Sequence, residues 1–296
     1  MLRAITVLLL FVLLAPASAA PAKHVLLISI DGLRPDAMVQ GDTPALKALM
    51  KRGSWSLKAR TTLPSVTLTS HTSMMTGVPP AKHQVLWNEW IPEKGPIKTQ
   101  TIFDVAKAAG LTTAMFAGKE KFRHFVVPGR FDDFGIPDYP CKAVADAAAH
   151  VIDEKAPSLM MVHLAEPDGA GHAIGWMTPA YFKAIANADR AVAHLVEALE
   201  EAEIADETAI IVSADHGGHD RTHGSASAED MTIPWIAAGA GVRAAGELSA
   251  PIVTTDTAAT VVALLGLPVP ASWDGKPVSA ALAVSARAPA PGSAAR

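Results

Sequence analysis

A chain of 296 residues, half of them apolar and 18% charged, excludes a disordered or low-complexity protein and leaves room for one large domain with a substantial core. A formal charge of −4 with no run of Lys or Arg excludes a nucleic-acid-binding surface. The single cysteine, Cys141, excludes an internal disulfide; it reads as a semi-buried bystander, so stability must come from packing and bound metal.

Residues 1–19 read as an export signal, with Arg3 as the positive start, an apolar core from Ile5 to Leu14 and a small-residue cleavage site at Ala17-Ser18-Ala19. That core is too short to span a bilayer, and no later stretch is long and apolar enough. The expectation is a periplasmic or secreted protein with no membrane span after signal removal, its domain over residues 20–284. Residues 24–30 form a continuous apolar run that predicts a buried strand with Asp31-Gly32 at its carboxyl end. Thr43 as N-cap and Pro44 at the first helical position open a short helix through Leu49.

A Thr/Ser-rich segment over residues 61–76 then ends at Gly77. A helix at 103–109, a strand at 112–117 and an alanine-rich helix at 141–154 follow. The Pro/Gly/Asp-dense piece at 127–139 reads as a surface loop or part of a small insertion over about 119–142. Residues 159–164 predict another buried strand, which runs into Glu166-Pro167-Asp168. Thr178-Pro179 opens the clearest helix, with Phe182, Ile185, Ala188, Val192, Leu195 and Leu199 on one apolar face. The run at 208–212 predicts a strand ending at Asp215-His216, residues 234–238 a further strand, and 257–265 a last helix. The Ala/Pro/Ser tail at 285–296 is expected to be disordered.

Apolar strands alternating with helices predict an α/β fold with a doubly wound, mostly parallel sheet and helices on both faces. Functional groups in such sheets gather at the carboxyl ends of the strands, where Asp31, Asp168 and Asp215 all fall. Asp168 and His172 stand four apart with glycines between; Asp215, His216 and His223 lie in another Gly-rich turn. Asp31, Asp168, His172, Asp215, His216 and His223 are six metal ligands, enough for two divalent ions with positions left open for substrate. Three Asp with three His suit Zn best, with Mn as the alternative, rather than the all-oxygen preference of Ca. Two such ions roughly 4 Å apart form a clamp for displacement at phosphorus. A nucleophilic hydroxyl is then expected in the Thr/Ser-rich segment, where composition leaves Thr62, Ser65, Thr67 and Thr69 open.

The order of Asp31-Gly32, Thr67-Leu68-Thr69-Ser70-His71 before Met75-Thr76-Gly77, Glu166-Pro167-Asp168-Gly169-Ala170-Gly171-His172 and Ser213-Ala214-Asp215-His216-Gly217 resembles the alkaline phosphatase superfamily. Within it, the chain is similar to the type I phosphodiesterase/nucleotide pyrophosphatase branch. The resemblance implies an alkaline-phosphatase-like fold with Thr67 as a transiently phosphorylated nucleophile. It implies one zinc held by Asp168, His172 and His223, and a second held by Asp31, Asp215, His216 and Thr67. Asn88 matches the residue that donates to a phosphoryl oxygen.

Two departures stand out. Thr69 and Ser70 replace the family's usual Pro and Asn after the nucleophile. Lys119-Glu120-Lys121 resembles relatives that cleave phosphate monoesters or phosphonoacetate, where cations hold the extra negative charge. No Arg follows in the context that a sulfatase needs. His71 reads as a structural residue, His83, His163 and His194 as bystanders, and His219 as a weaker ligand candidate than His223. The expected function is an exported two-metal hydrolase of small phosphate esters, with monoesters favoured. The alternatives are a phosphodiesterase/nucleotide pyrophosphatase, a phosphonoacetate hydrolase, or a metal-dependent phosphoester-binding protein without turnover.

Overall fold

The computed structural model describes residues 20–283, so the expected signal and the expected disordered tail lie outside the described residues. Eight strands form one sheet: β1 (His24–Ile30), β2 (Ser54–Arg60), β3 (Thr113–Ala117), β4 (Asp133–Gly135), β5 (Leu159–Leu164), β6 (Thr208–Ser213), β7 (Thr232–Gly239) and β8 (Gly246–Glu247). Their order is β4-β3-β5-β1-β6-β7-β2-β8, and β7 alone runs against its neighbours. The sheet is therefore mostly parallel. The helices are α1 (Pro35–Gln40), α2 (Pro44–Arg52), α3 (Thr67–Thr76), α4 (Pro80–His83), α5 (Ile102–Ala108), α6 (Cys141–Lys155), α7 (Glu166–Ile174), α8 (Pro179–Glu201), α9 (Ala228–Met231) and α10 (Thr254–Leu264).

The central strands β5 and β6 are buried at every position and β1 at all but its first residue, which requires cover on both faces of the sheet. One helix layer joins α8 to α2, α6 and α7; the other joins α10 to α3 and α5. Along α8, Ile185, Ala188, Val192, Leu195 and Leu199 are buried as their spacing predicts, with Phe182 partly covered. Thr178 accepts from the Tyr181 amide and starts that helix, and Thr101 with Asp104 forms a capping box for α5. Among the described residues no helix is long and apolar enough to cross a membrane.

Several elements differ from expectation. β2 presents Ser54, Ser56 and Ala59 to the interior, a pattern of small and polar residues that hides a strand from a hydrophobicity reading. Pro234 lies inside β7, where β2 shifts register between Ser56 and Ala59, so its missing N–H costs no regular ladder bond. The segment at 119–142 is built into the edge of the sheet: Phe122 and Phe125 are core residues, and β4 pairs with β3. Cys141 is fully buried rather than semi-buried, because it begins α6 against α7; burial pushes its thiol up to about 12.

Candidate active site

Strand order decides what the sheet's carboxyl edge holds. β3, β5, β1 and β6 are neighbours, so Lys119 just past β3, Asp168 past β5, Asp31 past β1 and Asp215 past β6 arrive side by side. Gly32, next to Asp31, has φ +71°, and a Cβ there would stand 3.0 Å from the Asp168 Cα. Only glycine lets the two carboxylate-bearing turns approach this closely. The Gly32 and His216 amides both donate to Asp215 Oδ1, at 3.1 and 3.0 Å, which leaves Oδ2 facing inward.

Thr67 is the first residue of α3 and is 1% exposed. The neighbouring Leu68 amide donates to Asn88 Oδ1 at 2.9 Å, so Asn88 closes the helix start with its oxygen and keeps its Nδ2 as a donor. His71, one turn along, donates from Nδ1 to the Thr67 carbonyl (2.7 Å) and accepts at Nε2 from the Ser29 hydroxyl (2.8 Å), the structural role expected of it.

The three imidazoles share one arrangement. His172 Nδ1 bonds the Arg221 carbonyl, His216 Nδ1 the Gly217 carbonyl, and His223 Nδ1 the Ser65 carbonyl. A carbonyl only accepts, so each proton sits on Nδ1 and each Nε2 carries a bare lone pair. His172 and His223 bring these Nε2 atoms within 3.1 Å of each other, and Asp168 Oδ1 lies 3.4 and 3.5 Å from them. Asp31, Asp168 and His216 form a second convergent group, with Asp215 Oδ2 3.3 Å from His216 Nε2. Asp168 thus belongs to both groups, where the expected division gave it to one.

Asp31 Oδ1, Asp168 Oδ1, Asp215 Oδ2 and His216 Nε2 are buried with no hydrogen-bond partner among the described residues. Four orphaned acceptors aimed into one region are costly for a protein alone and are what divalent cations satisfy. The donor set fits the two-metal expectation.

Lys119 does not sit in an exposed loop. Its Nζ lies 2.6 Å from both Asp31 Oδ2 and Asp168 Oδ2, and 3.4 Å from Thr67 Oγ1. Burial alone would lower its pKa, but Asp31, Asp168 and Asp215 together raise it, so the ammonium stays charged. Burial likewise pushes the Asp215 carboxyl up, reinforced by Asp31, whereas at Asp31 Lys119 and His163 overcome burial and hold the carboxyl well below the usual range. Lys121, partly covered, makes no ion pair among the described residues, and burial beside Lys119 lowers its pKa.

His163, expected as a bystander, contacts the site instead: it is the penultimate residue of β5, next to β1, and its Nε2 lies 2.8 Å from Asp31 Oδ2. His83 bonds Ser73 and the Val85 amide, His194 lies against Asp146, and His219 is taken by Asp230; none joins the site. Trp176 is a further residue that the sequence reading missed. Its indole donates to the Gly32 carbonyl, and a Cβ at Gly171 or Gly218 would penetrate its ring, at 2.6 and 2.2 Å. It pins the His172 and His216 turns together. The paired glycines were its only signal.

A mostly parallel α/β sheet with Thr67 at a helix start and Asp and His clustered at its carboxyl edge is the arrangement of the alkaline phosphatase superfamily. Residues 25–231 match the family model described as type I phosphodiesterase/nucleotide pyrophosphatase, and the chain belongs to that family. It is 27% identical over 215 residues to an uncharacterized pyrophosphatase/phosphodiesterase of Schizosaccharomyces pombe, covering 65% of this chain and 44% of that one. It is 27% identical over 237 residues to human ectonucleotide pyrophosphatase/phosphodiesterase family member 7, covering 69% and 51%. The chain spans about half the length of these curated relatives. In fold it is similar to murine ectonucleotide pyrophosphatase/phosphodiesterase 5, solved as an inactive variant with AMP, at TM-score 0.69, 17% identity and 83% and 95% coverage. It is also similar to a 2-O GAG sulfatase at TM-score 0.74, 16% identity and 91% and 76% coverage.

Proposed function

We propose that this chain hydrolyses a phosphodiester or pyrophosphate bond by attack of Thr67 Oγ1 on phosphorus. The observation that carries the reading is Thr67 at the start of α3, beside orphaned acceptors of Asp31, Asp168, Asp215 and His216. Two bound divalent cations, Zn before Mn, would supply Lewis-acid neutralisation of the charge that develops on the phosphoryl and leaving oxygens. Asp168, His172 and His223 would hold one, and Asp31, Asp215, His216 and Thr67 the other. The free amides of the α3 start and the Asn88 Nδ2 would donate to phosphoryl oxygens and orient phosphorus over Oγ1. Attack in line expels the ester oxygen and leaves a phosphothreonine, which water then hydrolyses. The bond assignment follows the family and the names of the relatives. The leader-like residues 1–19 support export.

One observation favours a second reading, a preference for monoesters. Lys119 Nζ lies 3.4 Å from the attacking oxygen, where a cation would offset the additional charge of a terminal phosphoryl group, with Lys121 two residues on. The deciding experiment compares bis-p-nitrophenyl phosphate with p-nitrophenyl phosphate on zinc-loaded enzyme, for the wild type and a Lys119→Ala/Lys121→Ala variant. Diester preference that survives in the variant supports the first reading. Monoester preference that disappears with the lysines supports the second. A folded, zinc-loaded enzyme that turns over neither, nor phosphonoacetate, sinks both and leaves a binding protein.

A further inference from the structure

We infer that His163 is a positioning residue that fixes which oxygen of Asp31 faces the reaction centre. The inference rests on the reading of Asp31 as a metal ligand and goes beyond it. His163 is the fifth residue of β5, in register with Ser29 of β1 and with Ala117 of β3. That register brings its side chain between the turn carrying Asp31 and the segment carrying Lys119. The residue is 0% exposed, its ring lies 4.3 Å from that of Phe122 and 5.0 Å from that of His71, and Nε2 is 2.8 Å from Asp31 Oδ2.

Its tautomer follows from what surrounds the two nitrogens. Nδ1 is buried without a partner among the described residues. A proton placed there would be an orphaned donor, and Nε2 would then set its lone pair against a carboxylate oxygen. The neutral ring therefore carries its hydrogen on Nε2 and donates it to Oδ2. Asp31 Oδ1 is left bare, 3.4 Å from His216 Nε2, on the side where Asp168 and His216 converge.

The second claim on Oδ2 makes this bond matter. Lys119 Nζ is 2.6 Å from Asp31 Oδ2 and equally close to Asp168 Oδ2, so the ammonium alone would draw the two carboxylates towards itself. His163 is anchored by its strand and packed by Phe122 and His71, so it holds the same oxygen from a fixed position. A carboxylate restrained at one oxygen presents the other in a single orientation, which is how groups behind metal ligands raise affinity. A histidine that only filled the core between Phe122 and His71 would do none of this.

The test is the affinity of the full-length, metal-stripped protein for Zn²⁺, measured against a chromophoric chelator, with the melting temperature of each metal-free variant recorded beside it. His163→Gln carries an amide nitrogen about as far from the backbone as Nε2; His163→Asn reaches only as far as Nδ1; His163→Leu has no donor. The expected result is Zn²⁺ affinity near wild type for Gln, and lower by about 10–100-fold for Asn and Leu. Because Gln and Asn are both polar and both smaller than the ring, their metal-free stabilities should be similar. If Leu fails to fold, that pair decides the matter. Wild-type affinity in a folded Asn variant, or equal losses in Gln and Asn, overturns the inference. Wild-type protein that takes up no Zn²⁺ overturns the metal reading and the inference together, so the two failures are distinguishable.

Discussion

Lys119 Nζ stands 3.4 Å from Thr67 Oγ1 while it bridges the Asp31 and Asp168 carboxylates. One ammonium thus touches the proposed nucleophile and both neighbouring acids. In Lys119→Ala the buried carboxylates of Asp31, Asp168 and Asp215 lose their compensating charge. The metal-free variant is expected to be less stable by about 3 kcal/mol. Zinc should recover much of that loss, since a divalent cation neutralises the same oxygens. Urea unfolding with and without zinc measures both quantities. An identical deficit in the two conditions would show that Lys119 contributes by packing alone.

Thr67→Ala removes the oxygen proposed to attack and little else, because the α3 start keeps its Leu68–Asn88 bond. Turnover of any phosphoester is expected to fall at least about a thousandfold. Zinc content should stay within error of the wild type, as the six other proposed ligands remain. Metal analysis beside steady-state kinetics separates the two effects, and substantial residual activity would remove Thr67 from the reaction.

Chelation should abolish activity and zinc should restore it. A ligand that binds only the folded state at a thousandfold excess over its Kd stabilises by about 4 kcal/mol per site. Zinc addition to stripped protein should accordingly raise the melting temperature by several degrees. The same addition to Asp168→Asn should raise it much less, because Asp168 belongs to both convergent groups. Scanning calorimetry reads this directly.

His83 gives a pH dependence remote from the metal groups. Burial between α3 and α4 lowers its pKa from 6.5 to about 4. Between those values the unfolded chain binds a proton that the folded chain does not. The stabilisation is therefore fully present above pH 6.5 and is lost as pH falls towards 4. Its size is on the order of 2 kcal/mol. His83→Gln should flatten the acid side of the stability profile by that amount. Denaturation at pH 7.5, 5.5 and 4.5 compares the slopes, and parallel curves would contradict the assignment.

How much was legible beforehand depended on the kind of signal. Asp31, Asp168 and Asp215 could be placed at strand ends because β1, β5 and β6 are covered on both faces and so are apolar throughout. β2 could not, because its interior side carries Ser54, Ser56 and Ala59. Lys119 could be named but not located: its contacts depend on β3 and β5 pairing, and no local pattern encodes that. His163 looked like filler on an apolar strand because its partner Asp31 is 132 positions away. Trp176 was invisible for the same reason, since the glycines that admit it lie on two separate turns.

The placement of β1 between β5 and β6 also bears on how the site comes together. The Gly32 amide meets Asp215 across 183 positions of chain, and Asp31 meets His163 across 132. Contacts of such separation close large loops and depend on most of the chain being in place. No fragment ending before residue 223 contains the whole site, and a nascent chain cannot assemble it until β6 and the turn that follows it have been synthesised. Closure of the Asp and His cluster is for this molecule among the last events of folding, and the first to be undone when β1 and β6 part.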